Sequence, residues 1–263
     1  MKELIFRTLT GIVLIILVAG SILLGPVPFL GIIILVYGLS LNELFSVYLH
    51  GKVLPRMVMA ISAGLLLPLT FGVLQYQWNP LWLIIPAAFW MIGFIWSGFI
   101  AVGRLILLWL VLPLTSFFTL GWMSGMNGYD PTFPLSVIAL IWVNDTFAYV
   151  TGTLLGKHKM TPRLSPGKSW EGFVGGILFT LLGGWAIFRI SGTYTMNHWI
   201  WFSLIIGCLG LLGDLFESSL KRKKSVKNMG KILPGHGGIL DRFDSLLFVA
   251  PALLTLILLL KLS

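Results

Sequence analysis

Asp214, Ser218 and Lys221 stand at i, i+4 and i+7 in the stretch GCLGLLGDLFESSLKRKK, so a carboxylate, a hydroxyl and an ammonium share one helical face. Downstream, ILPGHGGILDRFDS gathers two aspartates, an arginine, a histidine and three glycines in a chain that is only 10% charged. Pro234 cannot continue a helix, and the glycines around His236 let backbone amides approach a ligand and form an anion-binding nest. Asp241 and Asp244 follow at i, i+3, at the start of the last apolar run. Helix capping accounts for one aspartate in such a place, but not for both together with Arg242 and His236. Hard divalent cations such as Mg²⁺ take one or two carboxylates and complete their shell with substrate phosphates. Acids, fixed cations and a glycine-rich loop are together the equipment of phosphate-ester chemistry.

Two further stretches bear on the same chemistry. Asp145 lies inside the apolar LIWVNDTFAYVTGTLLG, beside Asn144; an acid there costs about 2.5–3.5 kcal/mol on insertion scales and marks a functional candidate. GKHKMTPRLSPGKSWEG contains Gly167-Lys168-Ser169, but Pro162 stands where a phosphate-binding P-loop requires glycine. Ser165 to Ser169 is instead expected to form a rigid turn presenting Lys168 and two hydroxyls, with Glu171 opening the next helix. Glu217 is expected to be an ordinary interfacial acid, and Lys223, Lys224 and Lys231 a solvated or lipid-facing charge run. His158 and His198 have neither partners nor metal-ligand spacing, and with one cysteine a zinc site is excluded.

The elements that position these groups are membrane helices. The chain is 57% hydrophobic, against about 45–50% apolar for a soluble domain. About nine apolar runs are long enough to cross a bilayer, near 8–24, 27–47, 55–75, 80–100, 104–123, 133–153, 171–190, 197–216 and 244–262. They are continuous rather than alternating, so the fold class is an all-α integral membrane protein. The first run, preceded by Lys2 and Arg7, lacks a small-residue cleavage pattern and is expected to be a span rather than a leader. With the N-terminus in the cytoplasm and the connections after the second, fourth, sixth and eighth runs on the same side, every Lys and Arg except Arg189 and Lys261 is cytoplasmic. The positive-inside rule therefore gives N-in, C-out. The net charge of +9 is thus a topology signal, not a nucleic-acid footprint. Cys208 lies within an apolar run and is expected to pack. Six of the nine acids follow residue 140, which divides one membrane domain into an N-terminal packing region, 1–130, of about five helices and a C-terminal catalytic region, 131–263, of about four helices with two cytoplasmic loops.

The stretch from Ser218 to Asp244 resembles the C-terminal pattern of phosphatidate cytidylyltransferases. That pattern runs S-x-x-K-R, four residues, K-D, a spacer, P-x-H-G-G, two residues, D-R-x-D. Here it reads Ser218, Lys221-Arg222, Lys227-Asn228, Pro234, His236-Gly237-Gly238, Asp241-Arg242 and Asp244, with Asn228 where the family has aspartate. The D-x-x-A-Y-x-x-G element at Asp145 and the S-P-x-K-S-x-E-G element at Ser165 are also similar, so the resemblance covers roughly residues 140–250. It implies transfer of CMP from CTP to phosphatidic acid, with release of pyrophosphate, in phospholipid synthesis at the cytoplasmic face of the inner membrane. It implies Mg²⁺ or another divalent cation, with room for a second, on Asp214, Asp241, and Asp244 or Asp145. Lys221, Arg222, Lys227 and Arg242 would bind the CTP phosphates and pyrophosphate; Ser165, Lys168, Ser169 and Ser218 would help bind nucleotide or lipid phosphate. His236 would donate to a phosphate oxygen, and Gly237 and Gly238 would allow close approach. The expected partners are CTP, phosphatidic acid, membrane lipids and a second copy of the chain, with no nucleic acid. Related CTP-dependent lipid kinases and CDP-archaeol-type synthases are the near alternatives, and an ion-coupled transporter the distant one.

Overall fold

The computed structural model describes residues 2–48, 64–84, 106–124, 128–226, 228–230, 232–233 and 237–262. The chain divides into two compact units, one of Met1–Pro131 with Asn228–Arg242, the other of Thr132–Lys227 with Phe243–Ser263.

In the first unit α1 (Lys2–Leu24) and α2 (Pro26–Tyr48) are parted by Gly25, at φ +119, and Pro26 begins the second helix, where its missing N–H costs nothing. α3 (Leu66–Tyr76) follows, then a 3₁₀ turn at Pro80–Leu83. The run expected at 104–123 is, where it is described, one continuous helix of changing pitch: a π-helical turn, Leu107–Val111, leads into α4 (Leu112–Thr119) and a closing 3₁₀ turn, Leu120–Trp122. Pro113 is the reason, since it has no N–H for the carbonyl four residues back and the ladder widens ahead of it. Phe29, Phe117 and Phe118, all at most 1% exposed, form the centre of this unit, with ring centroids 5.3 Å apart from Phe29 to each of the other two. Tyr129 ties the following loop down by donating to the Ile22 carbonyl at 2.8 Å.

The second unit holds α5 (Thr132–Leu154), a hairpin of β1 (Lys159–Thr161) and β2 (Ser165–Ser169), α6 (Trp170–Ser191) and α7 (Met196–Lys223). α8 (Leu240–Leu262) belongs to it from Phe243 onward. The rigid turn expected at Ser165–Ser169 is thus a strand, paired antiparallel with Lys159–Thr161, because the residues on either side of the turn proper satisfy one another's backbone. Ser169 ends it and caps α6, its hydroxyl accepting from the Gly172 amide at 3.2 Å, and Gly192 at φ +63 closes the helix. α7 opens on a capping box made by Thr195 and His198.

α5 and α6 meet on a seam of small residues. A Cβ on Gly172 would stand 2.6 Å from the Ala148 carbonyl, and one on Gly176 would stand 2.8 Å from Asn144 Oδ1. This is how membrane helices gain contact without a hydrophobic drive between them. The repeat Gly207, Gly210, Gly213 serves two neighbours: Gly207 faces Ile177 of α6, while Gly210 and Gly213 face Ser245 and Asp244 of α8. The outer side of α6 is apolar instead of polar: Val174, Leu178, Leu182 and Trp185 are all more than half exposed. That inversion suits a lipid-facing surface. Among the described residues five helices are long and apolar enough to cross a membrane: Pro26–Tyr48, Thr132–Leu154, Trp170–Ser191, Met196–Lys223 and Leu240–Leu260. The helical architecture is thus observed, and these long apolar helices are consistent with an all-α membrane protein. Residues 55–63 of the run expected at 55–75 and residues 85–100 of the run expected at 80–100 lie outside the described residues.

The seam gives the first prediction. Gly176→Leu should lower the unfolding free energy by about 1–3 kcal/mol, as overpacking does. The thermal midpoint in detergent reads this, and an unchanged midpoint would show that α5 and α6 do not need their close approach.

Candidate active site

Polar chemistry in the second unit centres on α7. Its carboxylate Asp214 is approached from two sides. Ser218, one turn later, donates to Oδ1 at 3.4 Å, and Lys168, carried by β2, places Nζ 2.5 Å from Oδ2. The carboxylate is 39% exposed and the lysine 19%, so the pair stands at the edge of the packed region. Asp244, half-buried in α8, takes its own neighbour's amide, Ser245 N, at 2.7 Å. It also feels the charges of Asp214 and Asp145, which repel it, and of Lys221, which attracts it. Asp145, exposed on α5, lies 3.5 Å from the Asn144 amide nitrogen. Of the four carboxylates expected around a cation, two, Asp214 and Asp145, thus act on a third, Asp244, within this unit. Among the described residues no three acids, histidines or cysteines converge on a single point.

Glu217 differs from expectation. It is not an interfacial acid but 1% exposed, with Oε2 2.8 Å from Lys221 Nζ one turn on. Lys221, with a side chain 15% exposed, is held by this pair rather than hanging free in a basic run. A buried carboxylate needs such a partner, because desolvating it alone costs several kcal/mol. Arg222, Lys223 and Lys224 are exposed.

The hairpin that presents Lys168 is clamped at its base. His158, expected to be without partners, has Nδ1 2.6 Å from Glu171 Oε1, and its backbone N–H donates to the same carboxylate at 3.2 Å. His198 is likewise engaged, its Nδ1 accepting from Thr195 N at 3.3 Å. Both histidines are structural, one bracing a strand against α6 and the other starting α7. Ser165 is half-buried in β2, and Ser169 is 3% exposed with its oxygen committed to the cap.

The glycine turn before α8 belongs to the first unit. The sequence suggested a nest of free amides at Gly237 and Gly238, and the structure corrects this. Gly237 N–H donates to the Leu233 carbonyl at 3.1 Å and Gly238 N–H to Asp241 Oδ2 at 2.8 Å. The amides close the turn internally, and what the glycines contribute is the absence of a Cβ: Gly237 has φ +85, with Asp241 Oδ2 2.9 Å from where its Cβ would stand. Asp241 thus caps α8 as one of the two aspartates was expected to. Arg242 is exposed, as is Asn228. Lys227 and His236 lie outside the described residues.

Below this turn is an acid that the motifs did not single out. Glu43 of α2, 2% exposed, accepts from Ile239 N at 2.9 Å and from Leu240 N at 3.0 Å.

A family model described as the cytidylyltransferase family matches residues 5–260. The chain belongs to that family. Curated relatives named phosphatidate cytidylyltransferase are similar over 121 residues: 48% identical in Staphylococcus aureus strain COL, covering 45% of this chain and 46% of the relative, and 47% identical in Staphylococcus epidermidis strain ATCC 12228 over the same shares. A third, from Staphylococcus haemolyticus strain JCSC1435, is 46% identical over the same length. The chain thus covers about half the length of the curated relatives it matches (46%). Within the family frame, the residues that sequence reasoning passed over are Glu43 and Glu217. A signal existed for both: each is an acid within or at the edge of an apolar run, where an acid is a functional candidate by default.

The Glu217–Lys221 pair is testable by a double-mutant cycle. Removing one partner of a buried pair costs about 3–5 kcal/mol, whereas replacing both with apolar groups is close to neutral. Glu217→Leu should therefore lower the denaturation midpoint strongly, and Glu217→Leu with Lys221→Met should recover most of it. Additive losses would show that the two side chains are not coupled.

Proposed function

We propose that the chain transfers the cytidylyl group of CTP to phosphatidic acid, giving CDP-diacylglycerol and pyrophosphate, at the cytoplasmic face of the inner membrane. The observation that carries this reading is the cluster around α7, where Lys168 and Ser218 meet the Asp214 carboxylate while Asp145, Asp214 and Lys221 bear on Asp244 through charge. Mixed fixed charge of this kind, among lipid-facing helices, suits two anionic substrates of which one is a lipid. Family membership supports the nucleotidyl chemistry, and the names of the curated relatives support phosphatidate as the substrate.

In this reading an ionised oxygen of the lipid phosphate attacks the α-phosphorus of CTP in line. The new P–O bond forms as the bond to the β-phosphate oxygen breaks, and the electron pair leaves with pyrophosphate. The attacking oxygen already carries charge, so no general base is required. The barrier lies in bringing anions together, and preorganised cations lower it. Lys168 is the first of these: on nucleotide binding it exchanges the Asp214 carboxylate for a phosphate oxygen. Lys221, oriented by Glu217, and the exposed Arg222 and Arg242 serve the triphosphate and the leaving pyrophosphate, with Lys227 and His236 completing the set. Ser165 and Ser218 add hydroxyl donors.

The carboxylates fit a divalent cation. Asp145 and Asp214 both repel Asp244, with the ammoniums of Lys168 and Lys221 as the fixed cations beside them, and an ion of the Mg²⁺ class takes one or two carboxylates together with phosphate oxygens. Asp214 and Asp244 would hold it, with Asp145 and Asp241 as further acids for it or for a second ion. When bound it supplies neutralisation of the phosphate oxygens and of the leaving group. The same proposal includes N-in, C-out topology, supported by the distribution of Lys and Arg, with about nine spans, 1–130 packing and 131–263 catalytic, and the homodimer implied by the resemblance.

The test is purified protein in detergent with phosphatidic acid and CTP labelled at the α-phosphate, with Mg²⁺ or with EDTA. Label should enter a CDP-lipid only with the metal present. Label reaching the lipid from γ-labelled CTP instead would identify a kinase and overturn the reading. Asp214→Asn should lower kcat/KM by about 10²-fold or more, the usual loss on removing one preorganised charge at a reaction centre. Asn228→Asp, restoring the motif's acid, should raise turnover or leave it unchanged.

A further inference from the structure

We propose that Glu43 is a positioning residue for this reaction: from α2 it holds the first turn of α8 and the turn before it in the phase that aims Asp241 and Arg242. The inference rests on the functional reading above. Three successive amides lead into α8, and all are occupied by carboxylates: Gly238 N–H by Asp241, and Ile239 and Leu240 N–H by Glu43. These are the donors that a helix N-terminus leaves without partners, and together with the helix dipole they attract an anion. In this protein the anion is resident. A phosphate is therefore not bound by these amides, and substrate recognition falls to side chains that the turn points elsewhere.

Glu43 differs from a local cap in reach. It is 196 residues from Ile239 in sequence and 2% exposed, so it comes to the turn as part of a different helix. The turn is also shaped around it. A Cβ on Gly238 would stand 2.6 Å from Glu43 Oε2, and a Cβ on Gly230 would collide with Oε1. One carboxylate thus contacts both the segment leading into the glycine turn and the segment leaving it. Asp241 lies close enough for the two like charges to be felt, so holding both at one helix end requires the amides between them. Each residue of a helix is rotated by about 100° from the last, so the phase of the first turn sets where Asp241, Arg242 and everything beyond them point. Loss of the clamp lets that turn fray before the remainder of α8 loosens.

The experiment compares wild type with Glu43→Ala, Glu43→Gln, Gly230→Ala and the double variant Glu43→Ala with Gly230→Ala. The readouts are steady-state CDP-lipid formation and hydrogen exchange at residues 239 and 240. Glu43→Ala should lose at least about tenfold in kcat with KM for CTP within about twofold, because misplacement of reacting groups acts on the chemical step. Its exchange at 239–240 should quicken while α5 stays protected. Glu43→Gln, whose one carbonyl oxygen can serve only one of the two amides, should fall between. Gly230→Ala should reproduce the defect, and the double variant should be no worse than the worse single, since both act through one contact. Wild-type kcat and exchange in Glu43→Ala, or additive losses in the double variant, would overturn the proposal. Should Glu43→Ala not fold, Glu43→Gln decides by the same two readouts. A wild-type protein that forms no CDP-lipid overturns the functional reading instead, and unchanged exchange in Glu43→Gln would then overturn the clamp separately.

Discussion

A carboxylate cannot stay charged among membrane helices without a donor brought to it, and the polar architecture of this protein follows from that requirement. Glu217 has Lys221, Asp214 has Lys168 and Ser218, Asp244 has the Ser245 amide, and Glu43 has two amides at the start of α8. The donors come from three kinds of source. Some are one helical turn away, one arrives on a hairpin, and some are backbone. Each choice fixes something beyond the charge itself: the direction of a lysine, the placement of a strand, the phase of a helix.

The hairpin illustrates how far the requirement propagates. Lys168 reaches Asp214 only because β2 is extended, β2 is extended because it pairs with β1, and the base of the pair is braced by His158 on Glu171. Ser169 then ends the strand and starts α6 in a single residue. A short non-helical segment is thereby made rigid enough to carry a charge to a chosen point, which a solvated loop could not do.

How much of this was legible in the residues follows from range. Local signals read well: the continuous apolar runs, the interval Asp214–Ser218–Lys221, the glycine spacing on α7 and the start of α6 at Glu171 all have their structural counterparts. The change of helical pitch before α4 was also local, at Pro113, but a long apolar stretch around it masked the signal. Partnerships across the chain were not legible. His158 looked solitary because its partner is 13 residues on, across a strand pair, and Glu43 looked like scaffold because its partners are 196 and 197 residues away. The glycine turn misled for a different reason. Glycines advertise available amides, but only the fold reveals that a backbone carbonyl and a side chain of the same protein already fill them.

α7 has a consequence of length. It runs 28 residues from Met196 to Lys223, about 42 Å at 1.5 Å per residue, whereas the hydrocarbon of a bilayer is about 30 Å thick. Eighteen rises separate Met196 from Asp214, about 27 Å, so the charged turn at Asp214 stands nearly one hydrocarbon thickness from the start of the helix. Such a rod works as a depth gauge. If the helix spans the bilayer as proposed, it sets the height of that turn relative to lipid phosphates, and that height changes with membrane thickness. Under the proposed reaction, bilayer composition would enter the chemistry twice, once as the supply of the lipid substrate and once as the height at which that substrate is met.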